Sequence, residues 1–265
     1  MSDQHKLDKF AVGIYPVPKF PLVKNGDDLG DIIVRQCRDD GFEIKHDDVI
    51  VVAQKIVSKV ENQVVALPDV VPSAAALKLS AKSGRDPRLC QVYIDECDDI
   101  IATKGRFIIM QHRLGFECNS SGVDRSNVGP ADAEMVSLLP IDSDISACQI
   151  RETIARLTGQ TVAVIVSDTF CRLNREGFVG QSIGFCGIRH IEERHQQDLY
   201  ANPTNSQTAL VDELAAAASI VMGQADEAVP VVVIRGVHYT RDEGRGIKDL
   251  ISPREMVKPY NTDQD

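Results

Sequence analysis

Apolar residues in this chain come in short unbroken runs separated by amphipathic stretches. Val49-Ile50-Val51-Val52, Phe107-Ile108-Ile109-Met110, Val162-Ala163-Val164-Ile165-Val166 and Val231-Val232-Val233-Ile234 are such runs. Their length and β-branched content predict strands buried on both faces. Helical spacing lies between them. Asp27-Asp28 precedes Leu29, Ile32, Ile33 and Cys37, with Gly41 as a stop. Ser146 reads as the cap of a helix carrying Ile150, Ile154 and Leu157, which Gly159 ends. A shorter helix is expected from Ser73 to Gly84. An Ala-rich one runs from Asp212 to Met222 and stops at Gly223, and its Ala215 to Ala218 stretch permits close backbone packing, within the fold or across a dimer. Strand and helix signals alternate, which predicts an α/β fold. The stretch from Gly115 to Leu138 is polar and aperiodic. It is too long for a plain connection, so it is expected to be functional or locally folded.

Composition narrows the function classes. The chain has 265 residues, 43% hydrophobic and 26% charged, which suits a globular protein with a substantial core. There is no apolar run of transmembrane length, and Met1 to Lys9 is a polar lead-in without a secretory signal's apolar stretch. We therefore read the chain as soluble and cytoplasmic. A formal net charge of -10 argues against a broad nucleic-acid or anionic-membrane surface. The absence of Trp argues against an aromatic platform for single strands. The 7 cysteines are odd in number and lack C-x-x-C spacing, so neither a disulfide framework nor a structural zinc site is expected. An acidic protein that handles phosphates needs a divalent cation, a few placed Lys or Arg, or backbone amides.

Four segments can supply such chemistry. Ser167-Asp168-Thr169 follows the strand ending at Val166, and ligands of open α/β sheets gather at carboxyl ends of strands. There Asp168 and Thr169 offer oxygen ligands to a hard cation, with Arg172 and Arg175 within reach of phosphate oxygens. The plainer alternative is a helix cap at Asp168 or Thr169. Asn119 to Asn127 is rich in oxygen donors, so Asp124 could share a cation with Asp168 and Asn127 could bond a nucleotide; a self-bonded turn is the alternative. Gln54, Lys55 and Lys59 follow the Val49–Val52 run and are either phosphate contacts or surface residues. In Met222 to Pro230, Gln224, Asp226 and Glu227 are either metal or ribose contacts or part of a solvated loop. Phosphate-loop, dinucleotide, nucleophile-elbow and H-E-x-x-H motifs are absent. His190 and His195 read as a solvated helix face.

In order and spacing, Tyr15-Pro16-Val17, Phe20-Pro21-Leu22-Val23, Gly26-Asp27-Asp28-Leu29, Val57-Ser58-Lys59, Ser121-Gly122-Val123-Asp124-Arg125-Ser126-Asn127, Val166-Ser167-Asp168-Thr169, Asp212-Glu213-Leu214-Ala215, Met222-Gly223 and Val233-Ile234-Arg235-Gly236 resemble the coenzyme F420:L-glutamate ligase family. The resemblance spans residues 10–254, without a C-terminal flavin domain, and leaves 255–265 as a polar tail. It implies an unusual mixed-sheet α/β fold of two intimate lobes in an intertwined homodimer. It implies a GTP-dependent ligase that adds L-glutamate, then γ-linked glutamate, to coenzyme F420-0, a deazaflavin precursor, through an acyl phosphate. Mg²⁺ or Mn²⁺ would be bound by Asp124, Asp168, Thr169 and Gln224, with K⁺ as a further cation. Phe20, Pro21, Leu22, Val23, Gln54, Lys55, Lys59, Asn127, Met222, Gly223, Gln224, Ala225, Asp226, Glu227, Ala228 and Val229 would hold GTP, and Lys59, Asp168 and Arg172 would act in catalysis. The loop Gln224-Ala225-Asp226-Glu227-Ala228 departs from the Gly-rich loop expected there, and Phe170-Cys171 is bulkier and less polar than expected. Three other readings use the same residues: an amide ligase for another cofactor precursor, a metal-dependent phosphohydrolase, and a non-catalytic nucleotide or deazaflavin-binding module.

Overall fold

A computed structural model describes residues 11–172 and 175–251. The expected lead-in and polar tail lie outside the described residues. The central element is a five-stranded mixed sheet. Its strands are β1 (Gly13–Pro16), β2 (Val49–Ala53), β8 (Ala163–Arg172), β9 (Arg175–Cys186) and β12 (Val231–Arg235), in the order β1-β12-β2-β8-β9. β2 and β8 are parallel, and the other neighbours are antiparallel. In β2, β8 and β12 the residues Val49–Val52, Ala163–Val166 and Val231–Ile234 are fully buried, because helices cover both faces.

On one face pack α1 (Leu29–Asp39) and α5 (Ser143–Thr158), with Ile33, Ile150 and Ile154 against Ile50, Val164 and Val233. The Asp28 carboxylate caps α1 by accepting from Asp31 N at 3.1 Å. The cap of α5 is Asp142, which accepts from the backbone N–H of both Asp144 and Ile145, not Ser146. Ser146 lies one turn inside, where its hydroxyl donates to the Asp142 carbonyl and to Glu61. Gly159 ends α5 in the left-handed conformation, as expected. On the opposite face α6 (Leu210–Met222) sets Val211, Leu214, Ala215 and Ala218 against Val51, Ile165 and Phe185. The small side chains of α6 allow close approach. A Cβ on Gly180 of β9 would lie 2.6 Å from the Ala215 carbonyl oxygen, so only glycine fits.

A third apolar cluster sits beside this sandwich. It gathers α3 (Ala74–Ser83), α4 (Pro87–Asp95) and the three-stranded sheet β4 (Cys97–Lys104), β5 (Phe107–His112), β6 (Glu117–Asn119) around Leu67, Leu89, Ile108, Met110 and Val136. Here the run Phe107–Met110 departs from expectation. β5 alternates, with Ile108 and Met110 buried and Phe107 exposed, because only one face of its sheet is covered. The polar stretch 115–138 is locally folded: it contains β6, two 3₁₀ turns and β7 (Met135–Ser137), which pairs with β3 (Val64–Ala66).

Three further readings are corrected. The segment carrying His195 is a strand, β10 (Glu192–Gln197), paired with β11 (Pro203–Thr208) in an exposed hairpin, not a helix face. β8 continues through Asp168 and Thr169, so neither caps a helix. Two of the 7 cysteines, Cys148 of α5 and Cys186 of β9, form a disulfide with Cα atoms 5.2 Å apart; spacing 38 residues apart in the chain gives no sequence signal for it. No helix among the described residues is long and apolar enough to cross a membrane.

The end of the sheet opposite the site is locked by Asp48, which is fully buried. Its carboxylate receives Arg235 Nε and Nη2, both at 2.7 Å, and the Lys45 backbone N–H at 2.7 Å. Removing one partner of a buried pair strands the other charge. Arg235→Met is expected to lower unfolding free energy by about 3 kcal/mol in denaturant titration. Asp48→Asn with Arg235→Met is expected to recover part of that loss, since the stranded anion is gone.

Candidate functional site

The carboxyl ends of β1, β2 and β8 point the same way, and the chain reverses through β9 and β12 at that end. There the structure opens a cavity of about 1020 Å³. Register explains how its centre forms. Ala53 of β2 pairs with Ser167 of β8, so the residues just beyond, Gln54-Lys55 and Asp168-Thr169, emerge side by side. The short helix α2 (Gln54–Val60) carries Lys55 and Lys59 into the lining. Gln54 is buried, its Oε1 accepting from the Ser58 hydroxyl at 2.9 Å.

Asp124 arrives from the polar middle stretch. Its backbone exchanges two hydrogen bonds with the buried Ser137, at 3.0 and 2.8 Å, which fixes the loop on the β3–β7 ribbon. Its carboxylate accepts from Ser126 N at 2.8 Å and from the Ser126 hydroxyl at 2.7 Å. Lys55 Nζ closes on the other side as an ion pair with Asp124 Oδ2. Burial works against charge on Asp124, but Lys55 and the Ser126 donors outweigh it and hold the carboxyl below its ordinary range. Burial, then the neighbouring Lys55, pulls the Lys59 ammonium below its usual value.

Asp168 behaves oppositely. Desolvation pushes its carboxyl up to about 7; the Thr169 N–H, Lys55 and Gln54 pull it down, and Asp124 adds repulsion. Two carboxylates therefore face one space with one ammonium between them. Beside them, Gln224 Nε2 donates to Thr169 Oγ1 at 3.2 Å, joining the loop after α6 to β8. Asn127 Nδ2 reaches the same loop, donating to the Ala225 carbonyl at 2.8 Å.

Most of the expected residues meet here. Phe20 to Val23, Gln54, Lys55, Lys59, Asp124, Asn127, Asp168 and Thr169 all line the cavity, as do Met222 to Asp226, Ala228 and Val229. Two do not. Glu227 is turned into its own loop, where it accepts from Ala225 N at 2.9 Å and packs over Gly223. A Cβ on Gly223 would lie 2.0 Å from the Glu227 carboxyl carbon, and its φ of +70 is itself a glycine conformation. Arg172 also stands outside the lining, because β8 carries it beyond the cavity. Its Nη2 donates to the Glu176 carbonyl at 2.9 Å across the hairpin. Conversely, Lys24, Cys171 and Phe178 line the cavity without having been singled out as site residues. Lys24 and Phe178 sit in segments whose spacing gives no chemical signal.

The donor set suits a hard divalent cation. Carboxylate, hydroxyl and amide oxygens belong to Asp124, Asp168, Thr169 and Gln224, and Asp168 is a half-buried acid with little positive charge to offset its desolvation. Among the described residues no group of three or more His, Cys, Asp or Glu forms a self-sufficient cage. Such a cation would need further oxygens from water or substrate phosphates, which is the habit of Mg²⁺ rather than of structural zinc.

The family model described as F420-0:Gamma-glutamyl ligase matches residues 18–236. The coenzyme F420:L-glutamate ligase of Methanothermobacter thermautotrophicus is 41% identical over 250 residues, covering 93% of this chain and 98% of that protein. The protein of that name from Methanocaldococcus jannaschii is 39% identical over 89% of this chain and 92% of its own length. The one from Archaeoglobus fulgidus is 34% identical, with coverage of 86% and 88%.

The raised Asp168 group makes a pH prediction. Its folded value lies above the unfolded one, so the native state binds the extra proton and stability is lost as pH rises through about 7. Without divalent cation, the protein is expected to become less stable between pH 5 and 8 by about 2 kcal/mol, after allowing for partial solvent access. Asp168→Asn is expected to flatten that slope in thermal melts, and Mg²⁺ to restore wild-type stability at the alkaline end.

Proposed function

Because the chain belongs to the F420-0:gamma-glutamyl ligase family, we propose that it joins L-glutamate to the F420-0 precursor in an amide bond, with GTP supplying the driving force. The observation that carries this reading is the convergence of Asp124, Asp168, Lys55 and Lys59 on one cavity at the strand ends. Amide formation from a free carboxylate is uphill in water, so the acid must first be activated. In this mechanism an oxygen of the precursor's carboxylate attacks the γ-phosphorus of GTP, and GDP departs. The amine of glutamate then attacks the acyl carbon, and inorganic phosphate leaves.

The chain's residues answer the electrostatic problem of that reaction. Precursor, nucleotide and glutamate are all anionic, and so is the protein. Lys55 and Lys59 bring positive charge to the transferring phosphoryl oxygens. Phe20 to Val23 offers apolar surface to the guanine base, and the loop from Met222, tied by Gln224 to Thr169 and by Asn127 to Ala225, closes over the nucleotide. Asp124, Asp168, Thr169 and Gln224 would hold Mg²⁺ or Mn²⁺, which would neutralise charge on the β- and γ-phosphates. K⁺ would serve as an additional counter-ion for the nucleotide.

The exposed β10–β11 hairpin supports an intertwined homodimer. Its tip carries Leu199 and Tyr200 fully open to solvent, an apolar end suited to a second copy.

Incubation with F420-0, GTP, Mn²⁺ and L-glutamate is expected to yield glutamylated product by mass spectrometry, with one GDP released per unit added. Asp168→Asn is expected to cut turnover by at least about a thousandfold with the fold intact by circular dichroism. Near-normal ligation by that variant would sink the metal assignment. GTP hydrolysis that proceeds equally without glutamate and precursor would instead favour a phosphohydrolase.

A further inference from the structure

The cavity's lining is spread along the edge of the sheet in the order of the strands. From one side to the other come the Phe20–Val23 segment after β1, the Val229-Pro230 entry to β12, Gln54-Lys55 after β2, Asp168-Thr169 in β8, and Phe178 in β9. Four strand spacings separate the first from the last, roughly 19 Å. The charged centre therefore has an apolar bank on each side. One bank is Phe20–Val23. The other is the cross-strand pair Cys171–Phe178.

Phe178 is unusual for its place. It is 62% exposed, whereas Phe170 on the opposite face of the hairpin is buried against Phe116 at a ring separation of 5.5 Å. Thr169 pairs with Gly180 and Cys171 with Phe178, so Thr169, Cys171, Phe178 and Gly180 lie on one face of the hairpin. Gly180 is held without a side chain by the Ala215 carbonyl. Phe178 thus presents an aromatic ring about 7 Å along the strand direction from Thr169, lining the same cavity from the face of the hairpin opposite Asp168.

We propose that Phe178, backed by Cys171, is the platform on which the planar fused ring of the acceptor stacks. This rests on the ligase reading above. Phosphoryl transfer with attacking and leaving oxygens in line requires acceptor and diphosphate on opposite sides of the γ-phosphorus. With the nucleotide base on the β1 bank, the acceptor's carboxylate enters from the β9 side. A flat heteroaromatic joined to that carboxylate then falls beside Phe178. Face-to-face offset stacking on an exposed ring binds such a molecule without demanding hydrogen-bond partners the bank does not offer.

The test is equilibrium titration of the protein with F420-0, followed by the ligand's own fluorescence, together with separate KM values for F420-0, GTP and glutamate. Phe178→Ala is expected to weaken F420-0 binding about tenfold and to raise its KM in parallel. The KM for GTP and the oligomeric mass by light scattering should stay at wild-type values. Phe178→Tyr is expected to restore affinity. Unchanged F420-0 affinity in Phe178→Ala, or an equal rise in the KM for GTP, overturns the platform. So does a change in oligomeric mass that accounts for the loss. Failure of the wild-type protein to ligate glutamate to F420-0 would instead overturn the underlying reading, and is distinguished because it appears before any substitution is made.

Discussion

The ion pair between Lys55 and Asp124 holds the site together. The two residues are 69 positions apart, and one belongs to the sandwich while the other belongs to the flanking ribbon. Each is anchored on its own side before they meet: Lys55 by the short helix that β2 feeds, Asp124 by two backbone bonds to Ser137. An exposed pair of long side chains contributes little, because rotamer entropy cancels its Coulomb energy. Here the Lys55 side chain is only 17% exposed and both backbones are fixed, so less entropy is lost in forming it. Its consequence is electrostatic. By partnering Asp124, Lys55 leaves Asp168 as the carboxylate with the weakest local compensation, which is why burial lifts Asp168 and not Asp124.

That asymmetry explains how an acidic protein can serve anionic reactants. A surface rich in Lys and Arg would attract nucleotide but also any other polyanion. This chain places Lys24, Lys55 and Lys59 in one cavity while carrying an overall net charge of -10. A half-buried carboxyl whose desolvation raises it well above the ordinary carboxylate range gives the same cavity a demand for a cation. Under the proposed function, nucleotide arriving with Mg²⁺ would meet that demand, whereas a bare polyanion would meet repulsion. Selectivity would then lie in the pairing of charges, not in their sum.

Much of the fold could be read from the chain, and the reasons for the exceptions are physical. The strands covered by helices on both faces, β2, β8 and β12, announce themselves as continuous apolar runs, and α1 and α6 by period and stop residues. β10 and β11 do not, because exposed strands need no apolar run, and Glu192–Gln197 is built from side chains common in helices; in β9 the buried half, Gly180–Cys186, is interrupted by Gly, Gln and Ser and so shows no continuous apolar run either. The cap of α5 lies four residues before the expected Ser146 because Asp142, Ser143 and Ser146 are all competent caps and only tertiary bonds choose among them. Within the site, residues adjoining buried strands were legible. Arg172 was not, since a strand that outruns its sheet carries its later side chains beyond the cavity. Glu227 was not, since a loop can bond an acidic side chain to its own backbone.

The overrun of β8 is itself the design feature that makes the cavity two-sided. Val164 to Val166 pairs with β2 on one side and β9 on the other, but beyond Ala53 the β2 neighbour turns into α2. From Asp168 onward β8 has a strand partner only in β9, so the hairpin leaves the plane and forms a wall rather than a sheet floor. The register shift between Val166 and Ser167 marks that departure, and Asp212 of α6 secures it by accepting the Ser182 backbone N–H at 3.0 Å. A strand ending at Val166 would have placed Asp168 in a connecting loop, free to point to solvent. Held in a two-stranded wall pressed onto α6, its carboxylate stays beside Lys55, and the opposite face of the same wall can carry an exposed aromatic ring.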